Sequence, residues 1–340
     1  MRTVVIAAGL LLGAPAHADE PRLVLDLELY THARLAQRAG DDLSELRLER
    51  GEVGARLALG PQATAEFRLE SIRSAVEGGA LGIDGDSMVV RVKIAQVTGT
   101  HQVGDLRLDG AIGFIRDPWI GTLETGYTVK PLSRTGSERL ILWATNDLAA
   151  SAGAALGPVR VAVSLGNGEG LRYPERNTGK TATGVIDVTA IDRDKVRIGV
   201  LGVVRDGSLG VASIRERRFG GGLSVLTPWV RGGAEVIAAR GLGDRGDVEG
   251  TLVGGWAEAE PIKHWFAAAR GATFGLAGGT GRQSTFGGGI AVEPWPQFRL
   301  WLAVDRVTSA GDAMPLPGAD PGDATLIMVV ASAIAPFTVH

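Results

Sequence analysis

The longest predicted connection in the chain, residues 116–144, carries charges of both signs. Opposed charges that line a narrow aqueous passage set a transverse field and a size limit, and the two together select solutes. The alternative is that these residues are solvated charges on an exposed loop. The side chains that could form such a site are Arg116, Asp117, Glu124, Lys130, Arg134, Glu138 and Arg139.

A second set of charges alternates with apolar residues along short segments. In Leu23–Leu29 the leucines fall on one side, while Asp26 and Glu28 fall on the other. A two-residue period predicts strands with one apolar and one charged face. The charged faces could line a wet lumen, or the charges could simply pair across neighbouring strands. The candidate wall residues are Asp26, Glu28, Arg47, Glu66, Arg68, Arg91, Lys93, Asp105 and Arg107.

Motifs for catalysis are weak in this sequence. Gly179-Lys180-Thr181 resembles the end of a phosphate-binding loop, but Pro174 stands where the first glycine is required. The chain has no cysteine, and its histidines lack the spacing of metal ligands. A catalytic triad assembled only by folding is an open alternative. We expect no catalytic residues, no metal and no cofactor.

The first 18 residues predict a cleaved secretory signal. Arg2 supplies the positive start, an apolar run follows, and Ala16-His17-Ala18 is a small-x-small cleavage site. The apolar run is too short for a membrane-spanning helix, and no later segment offers 18 consecutive apolar residues. We expect residues 19–340 to form a single domain outside the cytoplasm.

Composition favours an all-β chain. Glycine accounts for 50 of the 340 residues without a three-residue period, which excludes collagen. A hydrophobic content of 45% gives the chain enough apolar surface to exclude a disordered protein. The formal net charge of −3, without a basic tract, argues against a nucleic-acid partner.

About sixteen predicted strands are joined alternately by tight turns and by longer polar loops. The turns are predicted at Gly60-Pro61, Gly99-Thr100, Gly157-Pro158, Asp192–Asp194, Thr227-Pro228, Glu260-Pro261 and Pro294–Pro296. The loops are predicted near 32–45, 75–86, 116–144, 167–180, 205–216, 240–247, 272–283 and 308–323. An even strand count with this rhythm predicts a closed antiparallel up-and-down barrel that crosses a membrane. A soluble sandwich is the alternative.

The pattern resembles the bacterial outer-membrane porins, including the branch related to phosphate-selective porins. Gly104–Leu108, which leads into the longest loop, resembles the strand before the porin constriction loop. Asn146-Asp147-Leu148 resembles the start of the hairpin that follows, and Pro294–Pro296 with Phe298–Asp305 resembles a late hairpin. The resemblance implies that loop 116–144 folds into the barrel. It also implies periplasmic turns, extracellular long loops and a homotrimer.

We therefore expect a water-filled channel in the bacterial outer membrane for passive diffusion of small hydrophilic solutes or ions. The alternative is a non-conducting barrel whose surface loops bind a partner or lipid, with its lumen plugged by loop 116–144. The expected partners are outer-membrane lipid, lipopolysaccharide and small hydrophilic solutes.

Two further groups of residues concern the membrane surface. Arg215, Glu216, Arg217 and Arg218 form a basic cluster, which we place at the end of a loop. It could attract anionic solutes or bind lipopolysaccharide phosphates, or it could be an ordinary solvated loop. Trp229, Trp265 and Trp295 lie beside predicted turns, where an interfacial ring would anchor the barrel.

Overall fold

The two-residue period is realised as one continuous sheet. The computed structural model describes residues 23–38, 41–74, 87–124, 135–140, 142–168, 179–208, 215–242, 245–311 and 323–339, so the predicted signal peptide lies outside it. The strands are β1 (Leu23–Arg38), β2 (Asp41–Ala58), β3 (Ala63–Ser74), β4 (Ser87–Val103), β5 (Leu106–Arg116), β6 (Asn146–Leu156), β7 (Val159–Gly166), β8 (Thr181–Arg193), β9 (Val196–Ser208), β10 (Arg215–Leu226), β11 (Val230–Leu242), β12 (Arg245–Ile262), β13 (Trp265–Leu276), β14 (Gly281–Trp295), β15 (Phe298–Gly311) and β16 (Ala324–Val339).

Each strand pairs antiparallel with its neighbours in sequence, and the first and last strands pair with each other. The β1–β16 ladder runs without interruption from Leu23 opposite Val339 to Arg38 opposite Ala324. The sheet is therefore a closed barrel of sixteen strands, as predicted, and closure leaves no unpaired edge.

The tight turns lie at one end of the barrel, where β1 begins and β16 ends. Four of the predicted turns are wrong in position, among them Asp192–Asp194, since β8 continues to Arg193 and the chain turns at Asp194-Lys195. β4 continues through Gly99, and the chain turns at Gly104-Asp105, where Gly104 supplies the left-handed φ of +58° that the turn requires. The turn predicted at Glu260-Pro261 falls at Lys263-His264, and the Pro294–Pro296 turn falls at Pro296-Gln297.

Three of the predicted long loops are also wrong, because the strands extend into them. Residues 32–45 belong mainly to β1 and β2, in which Thr31, Ala33 and Leu35 continue the exposed face. Likewise β11 and β12 fill most of 240–247. In place of loop 272–283 a short 3-10 turn over Ala277–Gly279 joins β13 to β14. The polar residues there pair within the sheet because both neighbouring strands continue beside them.

Outward and inward side chains alternate along the wall. Val53, Val163 and Val204 are exposed, at 57%, 57% and 62%, so an aliphatic face covers the outside. The inside is polar on β1–β4 but largely apolar on β8–β13, where Leu201, Ile237 and similar residues are buried. The apolar inner face of β8–β13 was not predicted from the sequence.

Among the described residues, no helix combines the length and the apolar character needed to cross a membrane.

Candidate constriction site

The connection between β5 and β6, residues 117–145, is called the third loop here. Its two ends meet, because the Asp117 backbone N–H donates to the Thr145 carbonyl at 2.8 Å. Asp117 then caps helix α1 (Pro118–Leu123), accepting a hydrogen bond from the Trp119 backbone N–H at 2.8 Å. Proline at the first helical position suits this start, since its missing N–H would have no partner there.

Helix α1 points into the barrel rather than away from it. Trp119 and Ile120 are fully buried, and Leu123 is nearly so, in one cluster with inward residues of β8 and β9 such as Val185 and Leu201. Inward-facing Gly222 on β10 makes room for them. A Cβ there would lie 3.4 Å from the Trp119 ring and 2.5 Å from the Ala234 carbonyl oxygen.

The second half of the third loop reaches still further around the wall. Gly136 begins a one-turn helix, α2 (Gly136–Arg139), and a Cβ on it would contact Ala272 of β13 and Leu252 of β12. Ser137 donates its backbone N–H to the Glu235 carboxylate of β11 at 2.9 Å, and its hydroxyl donates to the second carboxylate oxygen. The loop therefore crosses the interior from β5 to strands on the far side of the barrel.

Replacing Glu235 with alanine is expected to loosen the third loop. The change leaves the two buried Ser137 donors without their acceptor, which costs about 1–3 kcal/mol. Limited trypsin digestion reports on the loop, because Lys130 and Arg134 lie within it. Cleavage at these residues should accelerate by about tenfold or more.

Glu235→Gln is the matched control, since an amide oxygen still accepts from Ser137. It should be cleaved at a rate close to that of the wild type. Equal cleavage rates for Glu235→Ala and the wild type would show that this contact does not hold the loop.

A buried ion-pair network holds the base of the third loop. Arg205 on β9 lies between Asp117, at 3.3 Å, and Glu216 of β10, at 3.5 Å, and its guanidinium lies 5.3 Å from the Trp143 ring centroid. Arg218 approaches the same Glu216 at 3.2 Å. Burial raises the pKa of Asp117, and the positive charge of Arg205 opposes the rise. The two acids, Asp117 and Glu216, balance the two bases, Arg205 and Arg218, so the buried network carries no net formal charge.

The predicted constriction residues fall into three groups. Asp117 belongs to the buried network just described, and Arg116 pairs with Glu124 at 2.5 Å within the loop. Glu138 and Arg139 lie in α2, and of these two residues only the backbone is described. Lys130 and Arg134 lie outside the described residues.

A second polar region lies on the inward face of β1–β4, which we call the charged sector. Arg68 is at its centre, with Asp26 at 2.5 Å, Glu28 at 3.5 Å and Glu52 at 3.3 Å. Its Nε also lies 3.9 Å from Glu66, and Glu66 in turn lies 3.6 Å from Arg56.

Two further cations complete the charged sector. Arg91 binds Glu70 at 2.7 Å, while Lys93 contacts Glu52 and lies 3.5 Å from Glu70. The described acids outnumber the described bases by one, counting Asp26, Glu28, Glu52, Glu66 and Glu70 against Arg56, Arg68, Arg91 and Lys93. Arg91 and Lys93 keep 27% and 18% of their side chains exposed.

Six of the nine predicted wall residues therefore meet in one place, and two of those whose side chains are described do not. Asp105 lies exposed in the turn between β4 and β5, and Arg107 is exposed beside that turn. Arg47 lies in β2, where its side chain is not described. Glu49 is the extra residue of a bulge, because Tyr30 pairs with Arg50 and Thr31 with Leu48. The bulge shifts the inward face of β2 by one residue.

That shift explains why sequence analysis missed Glu52 as a wall residue. Alternation counted from Arg47 puts Glu52 on the outward face, whereas the bulge brings it inside. Glu70 was also missed, although its alternation with Leu69 could have found it. Arg205, Trp119 and Trp143 carried no local signal, since their partners lie far away in sequence.

Further inward pairs continue around the barrel wall. Arg270 of β13 binds Asp305 of β15 at 2.5 Å. Arg299 binds Glu293 at 2.7 Å, and its guanidinium lies 3.8 Å from the Phe266 ring centroid. In these contacts charged wall residues pair with one another across adjacent strands or across one intervening strand.

The fold and the inserted loop define a closed, sixteen-stranded barrel with part of its interior filled by its own third long connection. No protein-family model matches the sequence, and comparison with curated protein sequences finds no relative. Solved structures of bacterial outer-membrane porins share the architecture.

One is the anion-selective porin of Comamonas acidovorans, with 13% identity, a TM-score of 0.61, and coverage of 93% of this chain and 100% of that one. OmpF of Salmonella typhi, solved with daunomycin, has 11% identity and a TM-score of 0.63, over 92% and 97% of the two chains. OccK1 (OpdK) of Pseudomonas aeruginosa has 9% identity and a TM-score of 0.52, over 94% and 99%. At these identities the likeness establishes the fold.

Proposed function

We propose that the protein is a porin of the bacterial outer membrane, through which small hydrophilic solutes or ions diffuse passively. The observation that carries the proposal is the position of the third loop, which crosses the interior and packs on β8–β13. Sixteen strands leave an aqueous lumen, and a loop fixed inside it narrows that lumen without filling it. The proposal includes no catalytic step and no cofactor.

The solute path in this proposal runs beside the charged sector. The third loop takes the β8–β13 side of the interior, and the opposite side carries Arg68, Arg91 and Lys93 with their carboxylate partners. Charges of both signs along one side of the path favour hydrated, polar solutes over apolar ones.

The outward face of the barrel supports the proposed location in the outer membrane. Exposed aliphatic residues cover it, and Trp229, Trp265 and Trp295 are 71%, 50% and 65% exposed beside the tight turns. Indole rings favour the membrane interface. We place the tight turns in the periplasm and the long loops outside the cell, and we retain residues 1–18 as a cleaved signal.

A homotrimer is part of the proposal. Among the outward-facing strand residues of β1–β4, β6 and β7 whose side chains are described, there is no tryptophan and no charged residue, whereas β9–β15 carry both. A smooth face of valine, leucine and alanine fits a second copy of the chain better than it fits an interfacial anchor. Chemical cross-linking in detergent should give a limiting species of three chains.

The subtype we propose is the branch related to phosphate-selective porins. Its support is the resemblance to that branch of Asn146-Asp147-Leu148, at the start of β6, and of the late hairpin of β14 and β15.

Planar bilayers test the central proposal. Purified, folded protein should give stepwise conductance increases as single channels insert. Folding is checked by the shift in electrophoretic mobility on heating. Silent bilayers from folded protein would contradict a porin and favour a plugged barrel.

A further inference from the structure

The outward face of β9–β12 carries a row of charges at the long-loop end of the wall. Asp206, Arg217, Arg240 and Glu249 are directly opposite one another in successive ladders across the four strands. Arg215 lies two residues above Arg217 on the same face. We call these five residues the outer arginine row. They form part of β10 and its neighbours, so the prediction of a loop cluster at 215–218 is wrong.

Strand alternation divides the predicted basic cluster between two surfaces. Arg215 and Arg217 point outward with 66% and 57% of their side chains exposed, while Glu216 and Arg218 point inward and are buried. Only the outward pair, with Arg240 at 59% exposure, is available to a partner outside the barrel.

Among the five residues of the outer arginine row three arginines face two acids, and the next two charged residues of β12, Asp247 and Arg245, add one acid and one base to the count. Arg215 makes a two-point contact with Asp206, at 2.6 and 2.5 Å, which leaves Arg217 at 3.9 Å from the same carboxylate. Arg240 lies 3.3 Å from Glu249. Arg217 and Arg240 stand directly opposite each other, and like charges in that position are destabilising. An anion placed between the two guanidinium groups would remove the repulsion.

The height of the outer arginine row on the barrel wall indicates which kind of anion it would meet. Ten residues of β11 separate Val230, beside Trp229, from Arg240. At about 3.3 Å per residue and a tilt of about 40°, they span about 25 Å, which is the height of the apolar band of such barrels. The next outward residues below Arg217 and Asp206 are apolar, with Phe219 at 64% and Val204 at 62% exposure. The row therefore lies where acyl chains end and headgroups begin.

We infer that the outer arginine row binds the phosphate of a phosphorylated glycolipid in the outer leaflet, with its acyl chains against Phe219 and Val204. Guanidinium groups bind phosphate through paired, charge-assisted hydrogen bonds, which suits Arg217 and Arg240 side by side. The inference rests on the proposed outer-membrane location. It is independent of solute passage through the lumen.

The test compares a double variant with a matched control. Arg217→Gln with Arg240→Gln removes two exposed guanidinium groups from the row. Arg193→Gln with Lys195→Gln removes two exposed charges beside a tight turn. Binding is measured in detergent with lipid A bearing two phosphates, and with the same lipid after the phosphates are removed.

Wild type and control should bind the phosphorylated lipid alike, and the R217Q/R240Q variant should bind it about tenfold or more weakly. Dephosphorylated lipid should bind far more weakly to the wild type, and inorganic phosphate should not displace the phosphorylated lipid. Equal affinity of R217Q/R240Q and wild type would overturn the inference. So would equal binding of the dephosphorylated lipid, or displacement by inorganic phosphate.

Conductance of the same proteins separates this inference from the proposed function. If R217Q/R240Q conducts normally and binds the lipid as the wild type does, the lipid-binding inference is refuted and the proposed porin function stands. If the wild type gives silent bilayers while R217Q/R240Q binds the lipid more weakly, the proposed porin function is refuted and the lipid-binding inference is supported. Arg217→Gln alone, which changes one exposed side chain, should lose part of the affinity and provides a second test.

Discussion

Deleting residues 118–138 is expected to raise single-channel conductance by about twofold or more. The deletion removes α1 and most of α2, which occupy the interior against β8–β13. The current through a wide pore is limited by its narrowest cross-section, so clearing that side widens the path. The chain can still close, because Asp117 and Thr145 are already hydrogen-bonded neighbours.

The control for this deletion is the removal of residues 313–321 between β15 and β16, which shortens another long connection. It should leave the conductance of the folded barrel close to that of the wild type. A conductance that is unchanged by deletion of 118–138 would contradict a constricting third loop. Conductance that appears only after that deletion would show that the loop is a complete plug.

Replacing Arg68 with alanine is expected to make the channel more permeable to cations relative to anions. Arg68 is the cation shared by Asp26, Glu28 and Glu52, so its loss removes one positive charge from among these three carboxylates. One unit charge a few ångströms from a hydrated ion is worth about 1 kcal/mol in water. The cation-to-anion permeability ratio should therefore rise by about two- to fivefold.

The reversal potential in a salt gradient measures this ratio. The same change should also destabilise the barrel by about 3–5 kcal/mol, because it removes the shared partner of a buried ion-pair network. Urea unfolding in micelles reports that loss. Arg160→Ala is the control, since Arg160 pairs with one partly exposed Asp109 at 2.9 Å, outside the charged sector. An unchanged permeability ratio in Arg68→Ala would place the solute path away from β1–β4.

These predictions depend on contacts that sequence analysis reached only in part. It placed Asp26, Glu28, Glu66, Arg68, Arg91 and Lys93 on polar faces, and the structure brings them into one network. It did not predict Glu52, since one bulged residue reverses the inward and outward faces of a strand.

The outer arginine row illustrates the same limit. Arg215–Arg218 forms a single basic cluster in sequence, whereas alternation along β10 sends two of these residues outward and two inward. The opposition of Arg217 to Arg240 depends on the register of β10 and β11, which are joined by a turn whose exact length sets that register.

The amino-acid sequence by itself determined the class of fold: sixteen strands, alternating faces and closure of the sheet. The reason is that the two-residue period and the turn residues act locally, through backbone geometry and the side on which each side chain lies. Only the tertiary structure decided where the third loop goes. Ser137 and Glu235 are 98 positions apart, and their contact exists only because the closed barrel brings β11 opposite the loop. The apolar inner face of β8–β13 has the same cause, since it is buried by a loop from across the lumen rather than by its own neighbours.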